Sequence, residues 1–203
     1  MSKLTKEQRE ILVGLLLGDG NMQTENNGRT YRFRFSQQSR QKDYLFAVYE
    51  IFKPFVTTPP REYRFTDSRT GKKSFRWAFA TTQQACFRFY GQLFYSLNGK
   101  KKVPKIIRKL LKPKGLAFWY MDDGAQKWAG KTLACQICTD GFTLEDVKLL
   151  KSVLEDNFKL QVSINRQREN YRLGISAKSY QTLRNLIFPF LLKTMHYKFP
   201  KEE

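Results

Sequence analysis

Hydrophobic and polar positions change period along this chain in an order that occurs twice. The segment ILVGLLLGDG (residues 11–20) is continuously apolar until an acid and a glycine, the pattern of a buried helix and its stop. YRFRFSQQ (31–38) then alternates Phe33 and Phe35 with Arg32, Arg34 and Ser36, the period-two signature of a strand with one buried face. RQKDYLFAVYEIFKPF (40–55) returns to helical spacing. REYRF (61–65) and KSFRWAFAT (73–81) predict two further strands, and TQQACFRFYGQLFY (82–95) predicts an aromatic-rich helix.

The second half runs through the same sequence of patterns. GLAFWYMDDG (115–124) is another apolar helix ending on acid and glycine, and KTLACQICT (131–139) sets Leu133, Cys135 and Ile137 against Ala134, Gln136 and Cys138. TLEDVKLLKSVLEDNF (143–158) opens on the capping box Thr143-x-x-Asp146. LQVSINRQR (160–168) and NYRLGISAK (170–178) predict strands, and SYQTLRNLIFPFLL (179–192) predicts the closing helix. The halves also end alike, Lys102-Val103-Pro104-Lys105 against Lys198-Phe199-Pro200-Lys201. The expected organisation is two copies of one α+β unit, residues 1–99 and 115–203, joined by a basic linker at 100–114. Each antiparallel sheet is expected to carry helices on one face and leave the other open.

Charge decides what the open face meets. The 203 residues hold 37 Lys and Arg against 18 Asp and Glu, a net +19, which calls for a polyanion such as nucleic acid. The longest apolar run is far below the roughly 20 residues of a membrane-spanning helix, so no membrane partner is expected. The opening MSKLTKEQRE has no signal-peptide core, and a reducing compartment is expected. Cys86, Cys135 and Cys138 with the single His196 do not make a four-ligand zinc site and read as packing residues. By alternation the open face carries Arg32, Arg34, Ser36, Arg76, Gln136, Ser163, Asn165, Arg172 and Ser176, with Arg61, Tyr63 and Gln167 nearby. Lys72 and Lys73, in the basic loop before the 73–81 strand, are expected to meet phosphates.

Acids that end helices oppose the helix dipole, so Asp19 and Asp123 need a reason beyond stability. Gly14 and Gly18, spaced i and i+4, with Gly115 and Ala117 on the other helix, permit close packing that would bring the two acids together. A divalent cation relieves the repulsion, and oxygen-only ligands suit Mg²⁺, with Mn²⁺ as the alternative. Such a centre under a basic sheet points to phosphodiester hydrolysis, with Lys102 and Lys198 as charge-stabilising candidates. Gly20 and Gly124 read as the glycines that close the two helices.

These residues resemble the LAGLIDADG homing endonucleases, specifically the single-chain, intron-encoded subgroup with two motifs. Residues 12–20 match the nine-residue signature, and residues 116–124 match it more loosely, with Phe118 where the motif has a glycine. The resemblance runs from about residue 8 to 201. It implies two pseudo-symmetric αββαββα halves, the signature helices at their interface, and antiparallel sheets forming a DNA-binding saddle. It implies that Asp19 and Asp123 bind metal with the carbonyls of Gly18 and Asp122. The basic pocket lysines become Lys198 and either Lys101 or Lys102, and Gln37, with Thr139 by the internal repeat, organises water. The implied activity is a monomeric, Mg²⁺-dependent endonuclease that cuts both strands of a long asymmetric DNA site and leaves 3′ overhangs. The alternative is a group I intron maturase acting on its host intron RNA. The family habit places such proteins in a chloroplast or mitochondrion.

Overall fold

The computed structural model describes residues 3–96 and 98–200, so Lys201 of the last lysine-proline segment lies outside the described residues. The chain forms two compact units, and the division does not follow chain order. One unit holds residues up to 9 and 19–92; the other holds 10–18 and everything from 93 onward. Helix α1 (Lys6–Leu17) therefore starts in the first and ends in the second. It opens on a reciprocal capping box: the Thr5 N–H donates to Gln8 Oε1 (2.9 Å) and the Gln8 N–H to Thr5 Oγ1 (3.1 Å).

The first unit continues with β1 (Asn21–Gln23), β2 (Arg32–Gln38), α2 (Lys42–Phe52), β3 (Arg61–Thr66), β4 (Lys73–Ala80) and α3 (Arg88–Phe94). In the second unit follow α4 (Ile107–Leu110), α5 (Pro113–Asp123), β5 (Gly124–Gln126), β6 (Cys135–Cys138), α6 (Leu144–Phe158), β7 (Val162–Gln167), β8 (Asn170–Ile175) and α7 (Tyr180–Ile187). The two four-stranded antiparallel sheets share one topology, β1-β2-β4-β3 and β5-β6-β8-β7. Asn21 pairs with Arg34 and Ala125 with Gln136, so setting Asp19 on Asp123, and hence Asn21 on Ala125, puts Arg34 on Gln136 and Gln37 on Thr139.

Aromatic rings fill the first core: Phe33 lies 5.0 Å from Phe52, and Phe35 meets Tyr44 edge-on at 5.5 Å, all without exposed surface of note. The second unit buries Ile137, Leu173 and Ile175 with Leu150, Val153 and Leu154 of α6, and beside them an aromatic cluster in which Phe199 lies 5.2 Å from Tyr120 and 5.6 Å from Tyr180. Thr143 accepts from the Asp146 N–H (3.2 Å), as its sequence predicts, and α6 ends on Lys159 in the left-handed conformation.

Several elements differ from the sequence expectation. The edge strands β1 and β5 are too short for any periodicity to reveal. Strand β6 is confined to four residues and leaves Leu133 exposed, because pairing with β8 begins only at Cys135. The helix expected at 82–95 begins as a 3-10 turn, Ala85–Phe87, and the one expected at 179–192 stops at Ile187, where Pro189 removes a donor and a second 3-10 turn follows. The basic segment 100–114 is packed: Ile107 and Leu111 are fully buried, and Arg108 reaches Asp156 and Ser152 of α6.

Candidate active site and nucleic-acid interface

Within the second unit, the end of α1 packs on α5 backbone to backbone. A methyl group on Gly14 would lie 2.8 Å from the Gly115 carbonyl carbon and 3.0 Å from its Cα, and one on Gly115 would lie 2.6 Å from the Glu10 carbonyl oxygen. Further along, the Asp122 side chain occupies the space that a side chain at Gly18 would need. The stripe of α5 that meets α1 thus runs through Gly115 and Asp122, while Ala117 and Phe118 are buried beside it.

Neither acid-ended helix carries a basic residue in its own last turn. Distant lysines supply the charge that the dipole favours there. Lys101 Nζ donates to the Gly18 carbonyl (2.8 Å), and Lys198 Nζ donates to the carbonyls of Met121 and Asp122, the latter at 2.7 Å. Lys198 is fixed by its neighbours: Tyr120 Oη donates to the Lys198 carbonyl (3.0 Å), and Gln126 Nε2 to that of Phe199 (2.8 Å). Burial drives the Tyr120 phenol well above its usual range, so it remains a donor.

Lys101 rather than Lys102 reaches the helix end. Lys101 bridges to Tyr95, the Lys102 N–H donates to Phe94 (2.8 Å), and the Lys102 side chain is exposed. Adjacent residues in extended chain point to opposite sides, so only one of the pair can face Gly18. On the activity that the resemblance implies, Lys101→Ala is expected to slow DNA cleavage about a hundredfold, the scale of removing one charge-stabilising donor. Lys102→Ala is expected to fall within a few-fold of wild type in the same single-turnover assay.

Asp19 lies just past α1, which ends two residues earlier at Leu17, and Gln37 Nε2 donates to its Oδ2 (2.7 Å). Gln37 and Thr139 are both buried on the helix-facing sides of their sheets. The Thr139 hydroxyl donates to the Tyr171 carbonyl (2.6 Å) and keeps its lone pairs as acceptors. The glycines after the acids are not the left-handed caps that the sequence suggests. Neither Gly20 nor Gly124 is among the described residues with positive φ, and Gly124 is extended (φ −76°), running directly into β5. Glycine is needed there because a Cβ would lie 2.5 Å from the Tyr120 ring.

The donors at the two helix ends fit a hard divalent cation. They are all oxygen, and the carbonyls of Gly18 and Asp122 already attract ammonium groups. Among the described residues no three His, Cys, Asp or Glu side chains converge, so an ion would complete its shell with backbone oxygen, water and phosphate, as Mg²⁺ does. Cys135 is buried, which pushes its thiol up to about 11 and leaves it inert.

The open sheet faces carry most of the side chains that alternation assigns to them. In the first sheet Arg32, Arg34 and Ser36 of β2 share a face with Arg76 of β4 and Arg61 and Tyr63 of β3. Ser36 Oγ and Tyr63 Oη are hydrogen-bonded (2.9 Å), and the Arg76 guanidinium stacks 3.9 Å above Phe65. A groove of about 510 Å³ along this face is lined by Gln23, Arg32, Arg34, Thr58, Arg61 and Gln83 among others. Lys72 lies exposed in the turn before β4. Lys73 pairs with Thr66 and takes the opposite face from Arg76, an odd number of residues away. In the second sheet Gln136, Ser163, Asn165, Gln167 and Arg172 share the open face. Ser176, beyond β8, instead caps a 3-10 turn by accepting from the Lys178 N–H.

Sequence reasoning missed Asn21 and Gln23, on an edge strand too short to see, and Asp140. This last carboxylate takes a two-pronged bond from Arg172, and the guanidinium holds its carboxyl below the usual range.

Two antiparallel sheets of identical topology, each with a polar, arginine-bearing open face, and acid-ended helices clasped by lysines define a protein built to handle a nucleic-acid phosphodiester. The chain belongs to the LAGLIDADG DNA endonuclease family, which it matches over residues 9–183. It is 36% identical to the DNA endonuclease I-ChuI of Chlamydomonas applanata over 96% of this chain and 95% of that one. It is 28% identical to the cytochrome b mRNA maturase bI2 of Debaryomyces hansenii over 96% of this chain and 74% of the relative. Its fold is similar to that of the homing endonuclease I-WcaI bound to its DNA recognition sequence, with a TM-score of 0.92, 26% identity and coverage of 100% and 90% of the two chains.

Proposed function

We propose that the chain is an intron-encoded homing endonuclease that hydrolyses both strands of a long, asymmetric double-stranded DNA site and leaves 3′ overhangs, acting as a monomer in an organelle. The observation that carries the reading is the pair of acid-ended helices, each with a lysine on its last carbonyls. Asp19 and Asp123 are the carboxylate ligands of Mg²⁺, replaceable by Mn²⁺, with the Gly18 and Asp122 carbonyls beside them. Such an ion, when bound, polarises the scissile phosphate and makes water a stronger nucleophile. Gln37 holds the Asp19 carboxylate in one orientation and Thr139 offers a buried hydroxyl at the matching register. Lys101 and Lys198 place positive charge where the oxygens of the five-coordinate phosphoryl transition state gather negative charge.

Arg32, Arg34, Ser36, Arg61, Tyr63 and Arg76 of one sheet, and Gln136, Ser163, Asn165, Gln167 and Arg172 of the other, face base edges in the major groove. Lys72, exposed before β4, contributes a phosphate contact, and the +19 charge makes affinity fall steeply with salt. The two open faces differ residue by residue, which is why an asymmetric site suits them. A duplex spanning the junction of the joined exons tests the proposal. With Mg²⁺ the purified chain is expected to cut both strands at that junction, and an intact duplex would overturn it. The likeness to an mRNA maturase favours one second reading, assistance to splicing of the host intron, which a splicing assay with purified precursor RNA decides.

A further inference from the structure

Among the described residues, Arg172 is the one open-face side chain of the second sheet that a carboxylate holds in a two-pronged grip. Its Nε donates to Asp140 Oδ1 at 3.1 Å and its Nη2 to Oδ2 at 2.9 Å. Those bonds use the side edge of the guanidinium. The end edge, Nη1 with the second hydrogen of Nη2, carries two further parallel donors. The pair is half-buried, with side-chain exposures of 27% and 35%, so its geometry is less open to water and salt than a surface ion pair. In register Arg172 lies between Cys138 of β6 and Asn165 of β7, in the middle of the open face. Burial pushes the Cys138 thiol up, and its side chain hydrogen-bonds both Asp140 and Arg172, completing the cluster around the guanidinium.

A guanidinium meant only for phosphate gains nothing from a carboxylate beside it, because the acid cancels the attraction and repels the phosphate. A guanidinium meant for a base edge gains orientation. Two parallel donors match the O6 and N7 acceptors of guanine, a combination that the other base-pair edges do not offer. The first sheet repeats the device in a looser form, with Arg32 Nε on Gln23 Oε1 (3.0 Å) and Nη2 on Glu25 (3.0 Å).

We propose that Asp140 is a positioning residue that aims the end edge of Arg172 into the major groove, making it the reader of one guanine in the DNA target. The inference rests on the endonuclease reading and sharpens it. Its test measures the cleavage of a duplex library carrying every single-base-pair change in the junction site. Wild type is expected to favour guanine at one position by about 10- to 100-fold, the range of one two-pronged contact. Asp140→Asn and Arg172→Lys are both expected to flatten preference at that position while preferences elsewhere persist.

A merely structural Asp140 would lower the melting temperature and weaken all targets together. A phosphate-bound Arg172 would weaken all targets alike and reduce the salt slope by about one. Either result, or an unchanged preference in Asp140→Asn, overturns the proposal. If wild type cuts no member of the library, the endonuclease reading itself fails; if it cuts with preferences that ignore Asp140, only this inference does.

Discussion

Asp123→Asn is expected to lower the rate of DNA cleavage by about a thousandfold or more while leaving target affinity within a few-fold of wild type. A carboxylate that ligates a divalent cation loses its charge on becoming an amide, and the several kcal/mol that such an ion contributes to the transition state are lost with it, at about 1.4 kcal/mol per tenfold. Affinity is carried elsewhere, by the arginines and polar side chains of the open sheet faces. Asp19→Asn is expected to behave in the same way. Single-turnover cleavage and a mobility-shift titration at one salt concentration separate the two quantities. Loss of binding and cleavage in parallel would assign the acids to folding instead of chemistry.

The second large effect concerns the backbone contact between α1 and α5. Gly14→Val is expected to cost about 3 kcal/mol, the upper part of the range for overpacking a filled interior. Its side chain meets the Gly115 carbonyl, which is main chain and cannot swing aside. For a chain of this length that cost corresponds to a fall in melting temperature of roughly 6–12 °C. Cleavage is expected to fall further than stability, because the same helices carry Gly18 and Asp122 to the lysines. Gly141→Ala is the matched control: no atom lies within 4 Å of the added methyl, and calorimetry should show a shift of a degree or so.

Period and repetition made most of the architecture legible. Phe33 and Phe35 against Arg32 and Arg34 declared a strand with one buried face, and the structure buries both phenylalanines completely. The recurrence of an apolar run ending in Asp and Gly located both helix ends. Three-residue strands such as Asn21–Gln23 escape such reading, because they complete barely one period and exist only through pairing with a longer neighbour. The choice between Lys101 and Lys102 escapes it too, since neighbouring residues differ only in which way the backbone turns them. Asp140 is further still from view. Nothing in its local sequence separates it from a loop acid, and its partner Arg172 reaches it only through the pairing of β6 with β8. Gly124 shows the converse. A glycine after a helix is ordinarily a left-handed cap, yet here its missing side chain matters for contact with Tyr120.

The proposed activity is hydrolysis of DNA with a divalent cation held by Asp19 and Asp123. It is tested most directly on a supercoiled plasmid carrying the joined-exon junction, followed in Mg²⁺, in excess EDTA, and after Mg²⁺ is restored. Wild type is expected to linearise the plasmid, stop on chelation and resume on restoration, while the double variant Asp19→Asn, Asp123→Asn neither nicks nor linearises it. Undiminished linearisation in EDTA, or by the double variant, would contradict the account.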